Sequence, residues 1–300
     1  MKRFRWPIFI SIILLLTCSC APKETVLPPT VPTTPPPRQA KVALVLGAGA
    51  ARGFAHVGVL KILEANKVPI HMIIGTSAGS FVGSLYAYGF NAFQLQKMAL
   101  SVEKGDLIDI TIPDNGFIKG DKLEEYLNNI FKNTPIEKFK IPFHAVATSL
   151  PSGQEVVFGQ GNAGMAVRAS CSIPGIFRPA KFADKMYVDG GVVSPVAVDV
   201  ARRFGADVVI AVDISADLDN KQPEGTIDTI LQSINIMYSR LAATQLIRAD
   251  VVIKPQAGHI GSADLQKRHE AIMEGEKAAQ EVLPAIQSLI ARLRQEGRLE

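Results

Sequence analysis

The sequence is short of several things that would point to particular chemistries. It has three cysteines and one tryptophan in 300 residues. No paired Cys/His spacing of the kind that holds zinc occurs, so a metal centre of that type is excluded. Excess charge is also missing. The formal net charge is +4, and three of the cations, Lys2, Arg3 and Arg5, lie at the extreme N-terminus. Without residues 1–19 the balance is 4 − 3 = +1, which gives no electrostatic basis for nucleic-acid binding. Long apolar runs are absent too. Ile8 to Leu16 is mostly apolar but too short for a stable transmembrane helix. No internal repeat is evident. The 47% hydrophobic and 20% charged composition excludes a disordered chain and allows a substantial core without disulfides.

What is present begins with that N-terminal run. Basic residues followed by about nine apolar ones read as an export signal. It ends at Leu16-Thr17-Cys18-Ser19-Cys20, which resembles the lipobox of bacterial lipoproteins. The expectation is a signal peptide over 1–19 and an acylated Cys20, with Cys18 as the alternative. Cys171 then has no partner for a disulfide. The segment after it, 20–40, holds seven prolines between Ala21 and Arg38 and reads as an extended, semi-rigid spacer. Residues 41–300 are expected to form one domain. With Ala21 after Cys20, the chain is expected to be exported and membrane-anchored, at the outer membrane if the source is Gram-negative.

From Lys41 the pattern changes. Val42 to Leu46 is a continuous apolar run ending at Gly47, the mark of a strand buried on both faces. A helix is expected over Gly53–Asn66 and a second buried strand over Val68–Ile74. Further strands are expected at Phe143–Leu150, Glu155–Phe158, Met186–Val188, Ala206–Asp213 and Asp250–Lys254. Helices are expected at Asp121–Phe131, Ala163–Cys171, Val196–Phe204, Ile227–Ile247 and Glu270–Leu293. Asp121 with Glu124 suggests a capping box. Strands alternating with helices imply an α/β domain with a mostly parallel sheet.

Three segments carry chemistry. Gly75-Thr76-Ser77-Ala78-Gly79 fits G-x-S-x-G between a strand and a helix, where a tight turn can hold a serine nucleophile clear of the sheet. Val188-Asp189-Gly190-Gly191 can present a carboxylate with little bulk beside it. Gly47-Ala48-Gly49-Ala50-Ala51-Arg52-Gly53 offers backbone amides to an anion at a helix start. It is not the dinucleotide pattern G-x-G-x-x-G, because Arg52 stands at the last glycine. Two arrangements can activate Ser77: Asp189 directly, or Asp189 through His259 or His269 as in an α/β-hydrolase triad. His56, His71 and His144 read as structural, and Cys171 as a small buried residue. Tyr238 with Ile234, Leu241 and Leu246 reads as the packing face of a helix.

Together these segments resemble the patatin-like phospholipase family. The likeness runs from the opening strand and anion loop through the elbow and Ala169-Ser170-Cys171-Ser172-Ile173-Pro174-Gly175-Ile176-Phe177. It continues to Tyr187–Pro195 and Gly205–Asp213, so it covers about 41–289. The resemblance implies a three-layer α/β/α fold and a Ser77–Asp189 dyad, with no histidine, metal or other cofactor. It also implies a lipid acyl ester as substrate, phospholipid or lysophospholipid. Gly49, Ala50, Arg52 and Gly53 would supply the oxyanion loop, and Gly75, Gly79, Gly190 and Gly191 would support elbow and dyad. Two positions depart from the family pattern. Ala48 and Ala50 stand where a glycine triplet is common, and Arg178 replaces a proline. A non-catalytic tethered binding module is the remaining alternative.

Overall fold

A computed structural model of the chain describes residues 38–218 and 222–300. The expected signal segment, Cys18, Cys20 and the spacer up to residue 37 lie outside the described residues.

The first strand, β1 (Val42–Leu46), is fully buried, as are β2 (Met72–Thr76) and β7 (Val208–Val212). Alternate side chains explain the unbroken apolar run. Val42, Leu44 and Leu46 pack into one core with α1 (Phe54–Ala65), α3 (Ala92–Ser101) and α9 (Arg268–Gln295). Ala43 and Val45 pack into another, with α7 (Val198–Arg203) and Ala242 of α8 (Thr226–Leu246). A strand with helices on both sides has no solvent face on which to place polar residues. The result is the expected three-layer α/β/α fold.

The remaining elements are β3 (Phe143–Ser149), β4 (Glu155–Phe158), β5 (Ala180–Phe182), β6 (Lys185–Asp189) and β8 (Val251–Ile253). The helices α2 (Ala78–Tyr88), α4 (Lys104–Leu107), α5 (Asp121–Phe131) and α6 (Ala163–Ser170) complete the set. Strands β8, β7, β1, β2 and β3 pair in parallel. β4 lies antiparallel to β3 on the edge away from β2. β6 pairs antiparallel with the end of β3.

The register around β3 positions the site. β2 runs alongside Phe143–Val146, ending with Thr76 opposite Val146. β6 runs the other way alongside the next residues, ending with Asp189 opposite Ala147. β4 occupies the other edge of β3 at Ala145–Thr148, so β2 and β6 must share the same edge. Their C-terminal ends therefore meet head to head. Ser77 and Asp189 are the next residue and the last residue of those two strands.

Three local expectations need correction. The second strand starts at Met72 rather than Val68. Pro69 has no amide to donate to a sheet, and the Val68 amide instead bonds to Leu63 O, closing α1. The Asp121/Glu124 capping box does not form. Asp109, from the preceding segment, accepts the amides of Gly120, Asp121 and Lys122 at 2.7, 3.0 and 3.2 Å. Finally, α3, α4 and β5 were not expected. α3 is fixed by a capping box between Asn91 and Gln94, and its last carbonyls are held by Arg268.

Candidate active site

Ser77 follows β2 directly and has φ 54° and ψ −124°. This is a strained conformation for a residue with a β-carbon, and surrounding contacts hold it. Ser170 Oγ accepts the Ser77 amide at 2.9 Å and donates to Val146 O at 2.6 Å, tying the turn to β3. Ser80 Oγ donates to Ser77 O at 2.7 Å. The turn closes only over glycine. A β-carbon on Gly79 would fall 2.0 Å from Leu46 O, and one on Gly75 2.5 Å from Ser80 Cα.

Ser77 Oγ donates to Asp189 Oδ2 at 2.6 Å. Asp189 is fully buried, and its Oδ1 accepts the Gly191 amide at 2.7 Å. Burial raises the carboxyl from 3.8 to about 6, against the opposing effects of Ser77, the Gly191 amide and Tyr238. Gly190 and Gly191 are needed for the approach. A β-carbon at the first would lie 2.1 Å from Val146 O, and at the second 2.3 Å from the Tyr238 ring.

The loop after β1 lies beside the elbow. A β-carbon on Gly53 would fall 2.7 Å from Ala78 Cβ. The amides of Gly47, Ala48 and Ala51 are bonded to Val212 O, Pro195 O and Ser262 O. Those of Gly49 and Ala50 have no protein acceptor among the described residues. Ala50 sits at φ 50°, the left-handed region that glycine occupies without cost. Arg52 is buried, with its guanidinium donating to Ile214 O, Ile260 O and Asn235 Oδ1. Its side chain is therefore spent on bracing the loop. Desolvation lowers it to about 10. His56 Nε2 is 2.9 Å from Gly47 O, and burial lowers its pKa to about 4, so it is neutral and structural.

The other histidines are placed away from the pair. His71 Nδ1 accepts the Val42 amide and His144 stacks on Phe204. His259 is exposed and bonded to Glu270 at 2.6 Å, and His269 is exposed. Neither has a hydrogen bond to Ser77 or Asp189. Among the described residues no cluster of His, Cys, Asp or Glu could hold a metal.

Ser77 opens into an apolar pocket of about 310 Å³. Phe54, Phe81, Leu95, Met98, Tyr126 and Phe177 are among its walls. Leu107 and Ile108 form part of the same wall, and the segment after them leaves Ile110 and Ile112 82% and 85% exposed. That segment is attached through bridges from Ile110 to Ile118 and from Ile118 to Phe177. Arg178 helps hold it, donating to Ile112 O at 3.2 Å and Thr111 Oγ1 at 3.4 Å. This gives the unusual arginine a structural role.

Two contacts of the site have no signal in the sequence. Ser170 lies within the family-like segment 169–177, where nothing marks its bond to the elbow. Tyr238 was expected to be a packing residue, and it is buried with Ile234, but its hydroxyl end reaches the Asp189–Gly191 turn. No linear motif marks either contact, because the partners are 93 and about 50 positions away.

Comparison with known proteins follows the same lines. Residues 44–202 match the profile described as Patatin-like phospholipase. Lysophospholipase NTE1 of Coccidioides immitis is 36% identical over 197 residues, 63% of this chain and 12% of that protein. Patatin-like phospholipase domain-containing protein 6 of Mus musculus is 33% identical over 183 residues, 58% of this chain and 14% of that protein. The chain thus spans only a small part of these relatives. Among solved structures, VipD from Legionella pneumophila shares the fold, with TM-score 0.58 at 14% identity, over 83% of this chain and 68% of that one.

Proposed function

Because the chain belongs to the patatin-like phospholipase family, we propose that it is a serine hydrolase of lipid acyl esters, phospholipid or lysophospholipid, working through Ser77 and Asp189. The observation that carries this reading is the 2.6 Å bond from Ser77 Oγ to a fully buried Asp189 at the end of an apolar pocket.

In the proposed sequence, Asp189 takes the Ser77 proton as Oγ attacks the ester carbonyl. The carbonyl oxygen becomes an oxyanion facing the unpartnered amides of Gly49 and Ala50. Collapse breaks the bond to the alcohol, which leaves with the proton from Asp189. Asp189 then deprotonates a water that attacks the acyl-enzyme, and Ser77 recovers its proton as the fatty acid departs. Pocket chemistry supports a fatty acyl group, since the walls offer carbon and almost no hydrogen-bonding partner. Ile110 and Ile112, exposed next to the pocket wall, support a substrate presented at a lipid surface.

The N-terminal part of the proposal is that Cys20, or Cys18, is acylated after export and that the proline-rich spacer holds domain 41–300 beside a membrane. Palmitate labelling of Cys20→Ser and Cys18→Ser tests this, and labelling that survives in both variants rules it out. The catalytic proposal is tested by fatty-acid release from phospholipid vesicles. Ser77→Ala is expected to abolish release from a protein that still folds. Full activity in that variant would remove the dyad from consideration.

A further inference from the structure

Tyr238 presents a problem that packing does not solve. It projects from α8 and is 6% exposed, beside Ala48, Ile234, Ile173 and Ile230. These neighbours are aliphatic or methyl groups, and phenylalanine would fill the same space. Yet the hydroxyl is present, buried, and without a hydrogen-bond partner of good geometry among the described residues. An unsatisfied buried hydroxyl is a cost to the fold that phenylalanine would avoid.

Its location suggests what it serves. The ring and Oη lie against the face of Gly191, within 2.3 and 2.8 Å of where a β-carbon would stand. The Gly191 amide is the one that holds Asp189 Oδ1. A carboxylate can accept about four hydrogen bonds, and Asp189 has one on each oxygen, from Ser77 and from Gly191. Burial first, and the nearby Asp189 second, push the phenol well above its ordinary value, and the phenol in turn opposes, as the least of three donors, the rise that burial causes at Asp189. The other groups facing Asp189 are the Cys171 thiol at the end of α6, which burial keeps protonated, and Ser77 on the elbow. No charged side chain among the described residues perturbs it.

We propose that Tyr238 is a positioning residue, whose buried phenolic O–H, lying at the Asp189–Gly191 turn with no other acceptor among the described residues, turns onto the Asp189 carboxylate and holds it aligned on Ser77. When Ser77 Oγ turns toward the substrate carbonyl, Asp189 loses its shortest hydrogen bond. Tyr238 and the Gly191 amide then keep the carboxyl in place while it carries the transferred proton. This inference rests on Asp189 being the base in the proposed reaction.

The test uses Tyr238→Phe, which retains the ring against Gly191. Losing a donor to the charged form raises the Asp189 pKa. The acid limb of kcat/KM should move up by about one pH unit, so the rate falls about fivefold at pH 6 and hardly changes at pH 9. A purely structural tyrosine would leave the limb in place, and a coincident profile overturns the proposal. A second measurement needs no substrate. The loss in urea midpoint caused by Tyr238→Phe at pH 8 should be larger in the wild-type background than in Asp189→Asn, and the difference should vanish near pH 4.5. Equal losses in both backgrounds at pH 8 also overturn it. If the wild-type protein releases no fatty acid, the hydrolase reading fails, but this cycle still decides whether phenol and carboxylate are coupled.

Discussion

Asp189 should make the protein less stable than it could be. Its carboxyl is fully buried, and its pKa rises from 3.8 to about 6 on folding. The native state therefore binds the proton more tightly than the unfolded chain, and stability falls as pH rises. Below pH 3.8 both states are protonated and there is no penalty. The penalty grows between 3.8 and about 6 and is complete above that. A rise of that size, at 1.36 kcal/mol for each pH unit, is worth about 3 kcal/mol. Asp189→Asn removes the charge and keeps the shape. The amide can still accept from Gly191, but its NH₂ group cannot accept from Ser77. The expected gain at pH 8 is thus about 1–3 kcal/mol, or a few degrees to about ten in Tm for a domain of this size. Urea denaturation of both proteins at pH 8 and pH 5 measures it, with the gap at pH 5 smaller by about 1.4 kcal/mol. An Asp189→Asn protein no more stable than wild type at pH 8, or an equal gap at both pH values, would refute the argument. It would mean that the donors around the carboxylate compensate its burial completely.

Other outcomes follow from the same geometry. With Asp189 as base, kcat/KM for ester hydrolysis should fall below about pH 6, where the carboxyl takes up its proton. A profile flat to pH 4.5 would contradict that assignment. Ala50→Gly should raise stability by about 0.5–1 kcal/mol, because Ala50 is held at φ 50°; chemical denaturation reads the change. Gly58→Ala should be strongly destabilising, by more than about 2 kcal/mol, since its β-carbon would lie 2.0 Å from Ile272 O at the crossing of α1 and α9. Replacing Ile110 and Ile112 together by glutamate should reduce hydrolysis of vesicle lipid by more than that of a soluble short-chain ester, measured side by side.

Sequence and structure agree best where signals are local. The five apolar residues of β1 and the turn glycines around Ser77 announce their conformation directly, because burial on both faces and close backbone approach each restrict residue type. The candidate pair was legible as two separate turns, and that they meet depends on β2 and β6 sharing one edge of β3. No spacing rule encodes that, since 112 residues separate the two side chains. The missed elements have the same explanation. Asp109 takes the capping role that local residues at 121 and 124 were expected to fill, and Arg268 secures a helix almost 170 positions away. Tyr238 looked like packing because most of it is, and only the last atom of the side chain departs from that description.

The way the pocket is walled has a consequence for how this domain can diversify. Its reactive end is built from the sheet and its turns, where one added methyl group collides with backbone. Another part of its wall comes from Leu107 and Ile108, on a segment joined to the rest by short bridges and an arginine clasp. Insertions or exchanges in that segment can reshape the cavity while the turns at 77 and 189 stay as they are. Under the proposed hydrolase reading, chain-length tolerance and catalysis are therefore separable in this architecture, and laboratory selection for new acyl specificities would best begin by randomising residues 107–112.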